Sequence, residues 1–390
     1  MDKKDDNKNI KNMNKKPEKT DKKMIYYGDS SLVNSLKTHD YSSYIELEGK
    51  KKQEMKGFDS EYNDFVDFIM KITHNIWEKK GIGIIYDTYS ANVIVHTPAG
   101  TNYGVYGVIS GTLQTLHSFP DRKLLGQNVI WSNGDDGSLV SSHRIQSIST
   151  NYGDNSYGKA TGKKVSFRTV AECIAKNNKI YEEWLVRDNL WIVKQLGYDP
   201  DEIAKKLAKA SKDKEPALQS KFGLGESMEG QIKPELYNAK DSSVGELVLE
   251  MISHIWNCKL INEVEKYYHE NAVNHFICDM DLNGYDNIQG MFVSLFASFP
   301  NAAIEVERIS CNQREENSWD VAVRWRLNGV HEGYGYFGKP SGKRIEVLGI
   351  NHYNIVDNKV KEEWMTFDGL EVLRQMYLNE VDEDTEINEL

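Results

Sequence analysis

Residues 182–195 read EEWLVRDNLWIVKQ, and residues 362–375 read EEWMTFDGLEVLRQ. Glu182, Glu183, Trp184, Asp188, Leu190 and Gln195 recur as Glu362, Glu363, Trp364, Asp368, Leu370 and Gln375, each 180 positions further on. The agreement runs upstream. Gly158-Lys159-Ala160-Thr161-Gly162-Lys163 answers Gly338-Lys339-Pro340-Ser341-Gly342-Lys343, and Phe119-Pro120 answers Phe299-Pro300, at the same offset. Ile76-Trp77, Tyr89 and His96 answer Ile255-Trp256, Tyr268 and His275 at an offset of 179. Solenoid repeats run about 20–50 residues, so a period this long is a domain duplication. The reading is two homologous domains, 58–200 and 241–380, each of about 140 residues and able to hold one hydrophobic core.

Around them lie an N-terminal extension (1–57), a helix with linker (201–240) and an acidic tail (381–390). The first 23 or so residues mix Lys with Asp and Glu around no apolar segment; they read as a disordered tail, neither signal peptide nor membrane anchor. Residues 24–57 are expected to pack on the first domain. Asp199-Pro200-Asp201-Glu202 is a helix start, with Asp as cap and Pro in the first turn.

Hydrophobic residues at 39% and charged residues at 27% describe a globular chain. A net charge of -11 argues against a nucleic-acid partner, which needs a basic face. The four cysteines form no close pair and read as reduced, mostly buried thiols of a cytoplasmic protein.

Each copy runs in the same order. An apolar helical stripe (Phe65, Ile69, Ile72, Ile76; then Leu247, Met251, Ile252, Ile255) comes first, with Trp77 and Trp256 on its core side. A shorter helix, a short strand carrying His96 or His275, and a helix ending at Phe-Pro follow. Four strands come last; in the second copy these are Ala303–Ile309, Trp319–Leu327, Lys343–Val356 and Lys359–Phe367. Helices before an antiparallel sheet define an α+β class.

Both copies resemble the SnoaL-like polyketide cyclase (ester cyclase) family of the nuclear-transport-factor-2-like superfamily. The resemblance rests on the helix Trp, the Phe-Pro pair, the Gly-Lys-x-(Thr/Ser)-Gly-Lys turn, the hairpins Asn178-Lys179-Ile180 and Asn358-Lys359-Val360, and Glu-Glu-Trp-x3-Asp. The first copy also carries Gln195-Leu196-Gly197, where the second departs with Gln375-Met376-Tyr377. The resemblance implies tandem cone-shaped α+β barrels, each a curved, mostly antiparallel sheet wrapped by N-terminal helices around a hydrophobic pocket. It implies cofactor-free, metal-free aldol or enolisation chemistry on a small hydrophobic carbonyl compound, of lyase or isomerase type. The same fold also serves as a non-catalytic binding or assembly module. Single-domain relatives pair through the outer sheet face, which implies an intramolecular pseudo-dimer and leaves a further homodimer open.

Removing a proton α to a carbonyl needs a base beside the carbon and a donor for the enolate oxygen. Strand alternation places Trp364, Thr366 and Asp368 on one face, and Trp184, Val186 and Asp188 on its twin. Asp368 and Asp188 are therefore the candidate acid/bases. On the neighbouring strand the candidate partner is His352 in the second copy and Glu172 in the first, where two carboxylates would share a proton unless Arg168 pairs with Glu172. The His/Asp pair favours the second copy. Trp364, Trp184, His331, His275, His96, Tyr268 and Tyr89 are the expected substrate contacts. Bland readings stand beside these. Asp188 and Asp368 each suit a helix N-cap, His352 suits a structural role, and no His/Asp/Glu cluster has metal spacing. His143 faces only Val323 in the other copy and so is no shared feature.

Overall fold

The computed structural model describes residues 24–28, 39–40, 53–134, 136–211, 237–239 and 243–378. The expected disordered tail, all but 237–239 of the linker beyond the helix, and the acidic tail lie outside them. The protein is α+β, built on two mixed, mostly antiparallel seven-stranded sheets.

One sheet has the order β2-β5-β6-β7-β8-β3-β4: His39–Asp40, Lys123–Asn133, Leu139–Thr150, Lys164–Lys176, Lys179–Arg187, Tyr89–Thr97 and Gly100–Tyr103. The other has the order β1-β11-β12-β13-β14-β9-β10: Ile25–Tyr27, Ala303–Glu315, Ser318–Val330, Arg344–Val356, Lys359–Phe367, Tyr268–Phe276 and Met280–Asn283. In each half the last long strand pairs parallel with the first, β8 with β3 and β14 with β9, which curls the sheet. The hairpins closing β7–β8 and β13–β14 turn at Asn177-Asn178 and Asp357-Asn358, all at positive φ. Asn and Asp accept that conformation better than other side chains, and two such residues make a tight hairpin turn with the twist of the sheet.

Helices close the concave side of each sheet. In the first half these are Phe65–Trp77, Ile84–Thr88 and Val105–Ser118; in the second, Val244–Met251 continuing into a π-helical turn, Val264–Tyr267 and Gly284–Ser298. Asp64 caps the first helix by accepting the Asp67 amide at 2.8 Å. The apolar stripe then buries Phe65, Phe68, Ile69, Ile72 and Ile76 against the sheet. The helix Pro200–Ala210 starts at Asp199, whose carboxylate accepts from the Asp201 and Glu202 amides.

The N-terminal extension packs on both halves, where the expectation was the first alone. Ile25–Tyr27 forms the edge strand of the second half, parallel to β11, while His39–Asp40 pairs with β5 of the first. Ile25 is buried there, and Tyr27 Oη accepts the Gly245 amide at 3.1 Å. The reason is an open, apolar edge: Ile25 lies opposite Ile309, beside Val244 and Cys311.

The outer faces of the two sheets meet. Val170, Trp184 and Val186 pack on Leu348 and Ile350. Arg144 lies 3.4 Å over the Trp364 ring, and Arg324 lies 3.5 Å over Trp184. Residues 144 and 324, like 184 and 364, are repeat equivalents, so the contact exchanges roles across an approximate two-fold. Arg324 and Arg326, which alternate along a strand, are buried at this contact, paired with Glu307 and with Glu172 or Glu346.

Candidate active site

The strand carrying the opening motif presents two faces, and the register decides which is the cavity. Trp184 pairs with Glu172 and His96, and Trp364 with His352 and His275. All six side chains lie on the outer face. His96 stacks on Trp184 at 4.8 Å and holds Glu182 at 2.7 Å. His275 stacks on Trp364 at 5.0 Å and holds Asp281 at 2.6 Å. These expected substrate contacts face the other half of the molecule and its rim.

The expected carboxylate partners do not meet either. Asp368 follows Phe367, which pairs with Gly349, so His352 lies several ladder steps away. At about 3.3 Å per residue the separation exceeds 10 Å. His352 Nε2 instead meets Ser142 Oγ of the first half at 2.9 Å, and burial beside Arg144 keeps the ring neutral, its pKa well below the ordinary value. Glu172 likewise turns away from Asp188 and pairs with Arg324, not with Arg168. Arg168 donates to the carbonyls of His275 and Met365 at 2.8 and 3.2 Å. The shared-proton arrangement of Glu172 and Asp188 is therefore absent, because strand alternation put the pair on a face that another domain covers.

Asp188 and Asp368 cap the terminal helices Asn189–Leu196 and Gly369–Met376. Asp188 accepts from the Trp191 amide at 3.1 Å and, across the domain contact, from the Cys278 amide at 2.6 Å. Asp368 accepts from the Leu370 and Glu371 amides and from Asn189 Nδ2 at 2.6 Å. Burial pushes Asp368 up to about 7 despite these donors. His331 is buried and shapes the Gly-Lys-Pro-Ser-Gly-Lys turn: its ring meets Ser341 Oγ and the Ser341 amide, both at 3.2 Å. Asn151 does the same for the first copy through Thr161.

The inner face holds the other residue of the Glu-Glu pair. Glu183 lines a cavity of about 230 Å³ in the first half, with Tyr89, His143, Arg122, Arg187 and Thr169 among its walls. The sheet supplies a ladder of rows. Ser141, Cys173, Glu183 and Val95 form one; His143, Ala171 and Leu185 the next; Ile145, Thr169 and Arg187 the third. Helix Val105–Ser118 roofs the cavity with Gly107, Gly111, Thr112 and Thr115. Desolvation pushes Glu183 up to about 7, opposed by a 3.3 Å hydrogen bond from Tyr89 Oη. Burial holds the Tyr89 hydroxyl well above its usual range, so it stays protonated, and pulls His143 down to about 3, so it stays neutral.

The equivalent volume of the second half is occupied by side chains. Phe292, Leu295 and Met291 stand where the first half has Thr112, Thr115 and Gly111; Trp325 replaces Ile145, Tyr353 replaces Cys173 and Phe367 replaces Arg187. Trp256 packs on Trp325 at 5.0 Å and on Phe292 at 5.6 Å. The Trp325 ring lies on Gly349, where a Cβ would sit 2.1 Å from it. Glu363, the twin of Glu183, is likewise raised to about 7 by burial, yet it accepts from Tyr268, Asn274 and Asn351, each at 2.7 Å. Its hydrogen-bonding capacity is used within the protein.

Glu183 and His143 were missed. Glu183 stood in the opening motif, one residue out of phase with the Trp and Asp taken as guides. His143 was passed over because it is not shared; the difference between copies was the signal. Among the described residues no group of three or more His, Cys, Asp or Glu is placed to hold a metal ion.

The first half thus presents a mixed sheet with a helix-roofed cavity carrying one desolvated carboxylate. The model of the SnoaL-like polyketide cyclase family matches residues 246–376, so the second half is a SnoaL-like domain. Solved structures similar to the chain include a protein of Jannaschia sp. CCS1 provisionally assigned as a SnoaL-like polyketide cyclase. It is 20% identical, covers 39% of this chain and all of its own (100%), with a TM-score of 0.32. TsrD from Streptomyces laurentii is 16% identical over 34% of this chain and 94% of its own, TM-score 0.30. A SnoaL-like polyketide cyclase from Agrobacterium tumefaciens is 17% identical over 34% and 97%, TM-score 0.29. No curated protein matches the chain by sequence.

Proposed function

We propose that the first half is a cofactor-free acid/base site acting on a small hydrophobic carbonyl compound, and that the second half is its non-catalytic scaffold. Glu183 carries the reading: it is a carboxylate raised to about 7, facing a cavity, with one hydrogen-bond donor from the protein. A base poised near working pH is what α-proton removal requires.

In the proposed step Glu183 takes the proton from a carbon next to the ligand carbonyl, breaking that C–H bond. Tyr89 orients the carboxylate. The electron pair moves onto the carbonyl oxygen, and the neutral His143 imidazole is placed to donate to it. His143 stands two strands from Glu183 and one row along, about 12 Å between backbones, which leaves room for a ligand between them. In an aldol closure the enolate carbon then bonds to a second carbonyl carbon of the same ligand. The resulting alkoxide takes the proton back from Glu183. In simple enolisation the proton returns to carbon.

The filled interior of the second half and the saturated Glu363 support its scaffold role, which is the binding-or-assembly reading confined to that half. The test is deuterium exchange at the α-carbon of 1-indanone, a flat ketone probe, with the full chain as catalyst. Glu183→Gln should lower protein-dependent exchange by about 100-fold or more, while Asp368→Asn leaves it near wild type. Exchange that survives Glu183→Gln and disappears with Asp368→Asn would return the chemistry to the helix cap and sink the proposal.

A further inference from the structure

The two halves are twins, so each inward-facing position of the cavity half has an internal reference. Two of its cations have apolar counterparts. Arg187 stands where the second half has Phe367, and Arg122 where it has Ala302; both arginines line the cavity. They lie against the same ring, Arg187 5.7 Å and Arg122 5.5 Å from the Phe167 centroid. Arg122 also covers Trp77 at 4.6 Å and donates to Ser147 Oγ at 3.2 and 2.8 Å. Arg187 Nε is buried with no hydrogen-bond partner. Burial opposes the Arg187 charge, while the fields of Tyr157 and Asp368 favour it.

Arg187 is half-buried as a whole, and its Nε–H, out of reach of water and without a partner, carries a desolvation cost that an acceptor on a ligand would relieve. The planar guanidinium fork matches a carboxylate better than any other side chain does. Arg187 is four residues from Glu183 along one strand, with Leu185 between them on the same face. At about 3.3 Å per residue this sets the backbones about 13 Å apart. The cavity therefore has a cationic end, an apolar waist and an acid/base end. At about 230 Å³ it is below the roughly 300–1,000 Å³ that drug-sized ligands occupy, so its ligand is small.

We propose that the first-half cavity takes a small ring compound bearing a carboxylate, with the anionic group seated at Arg187 and Arg122 and the reacting carbonyl end at Glu183. The orientation rests on the acid/base reading above; the anion subsite does not. The probes are 1-naphthoate and its neutral isostere 1-naphthamide, titrated calorimetrically into the full chain. Wild type should bind the carboxylate at least about tenfold more tightly than the amide. Arg187→Gln should remove that preference while Arg187→Lys keeps part of it, and Glu183→Gln should leave it intact. Equal affinities in wild type, or a preference unchanged in Arg187→Gln, overturns the proposal. The wild-type comparison stands even if Arg187→Gln fails to fold. Discrimination between probes without indanone exchange sinks the acid/base reading alone; exchange without discrimination sinks this one alone.

Discussion

Glu183 shows how one step of strand alternation separates a residue of the domain contact from one that lines the cavity. Glu182 and Trp184 face outward to His96 and the domain contact, while Glu183 faces the cavity. The same alternation was legible in the motif, but the Trp and Asp were taken to mark the inner face. Nothing in a single strand says which of its faces meets a cavity when both are buried. The raised carboxylate has a measurable consequence for stability. In the folded protein Glu183 holds its proton to about pH 7, whereas an unfolded glutamate loses it near 4.5. Between those values the folded state binds more protons, so this group's contribution falls as pH rises through the window. A shift of that size corresponds to on the order of 3 kcal/mol at most. Glu183→Gln should therefore gain stability relative to wild type as pH goes from 5 to 8 in denaturant titrations. A difference between the two proteins that stays flat over that range would show that the carboxyl is not held protonated.

At the scale of elements, most boundaries were readable because one face of each was apolar. Among the four strands expected in the second copy, β11 departed most. It was expected to end at Ile309 and runs to Glu315. Its later residues include Ser310, Asn312 and Arg314, which break the apolar alternation. They remain in a strand because the outer face is covered by polar contacts from the first half, such as Asn312 bonded both ways to the Trp131 backbone at 2.8 and 2.7 Å. The two roof helices carry the functional contrast. Val105–Ser118 buries Val105, Thr112 and Ser118, whereas Gly284–Ser298 buries Ile288, Met291, Phe292, Leu295 and Phe296 against the sheet. Lining up the copies for their differences, as well as for their matches, makes this contrast visible in sequence. Giving the first roof its twin's residue, Thr112→Phe, should lower 1-indanone affinity by about tenfold or more while shifting the melting midpoint by only a few degrees. Conversely, Trp325→Ala empties the second interior and should cost about 3–5 kcal/mol in denaturant unfolding. If Thr112→Phe binds the probe like wild type, the ligand does not sit beneath that helix.

For the whole molecule, the duplication was legible at once, but the covering of the outer faces was not. Glu172 and His352 read as catalytic residues because buried charge has no distinctive periodicity; here Glu172 is answered by Arg324 and His352 by Ser142 in the contact region. The extension adds a tie that sequence gave no means to place. β1 precedes the first half in the chain yet completes the second half's sheet, with Tyr26 beneath Arg308 at 3.8 Å and Tyr27 edge-on to Trp319 at 5.8 Å. Gly245 leaves the space for it: a Cβ there would lie 2.3 Å from Ile25 Cγ2. Burying Ile25 is worth roughly 1.5–3 kcal/mol, and each ladder hydrogen bond about 0.5–1.5. Removing residues 1–28 should therefore lower the denaturation midpoint, and Gly245→Ala, which keeps the chain whole but crowds β1, should lower it in the same direction by less. Because the sheets share buried ion pairs and stacked arginines, both variants should still unfold in one transition, detected alike by tryptophan fluorescence and by far-UV circular dichroism. A truncated chain with an unchanged midpoint would mean that β1 contributes no stability. Two separated transitions in the full-length protein would mean that the contact between the sheets is too weak to couple the halves.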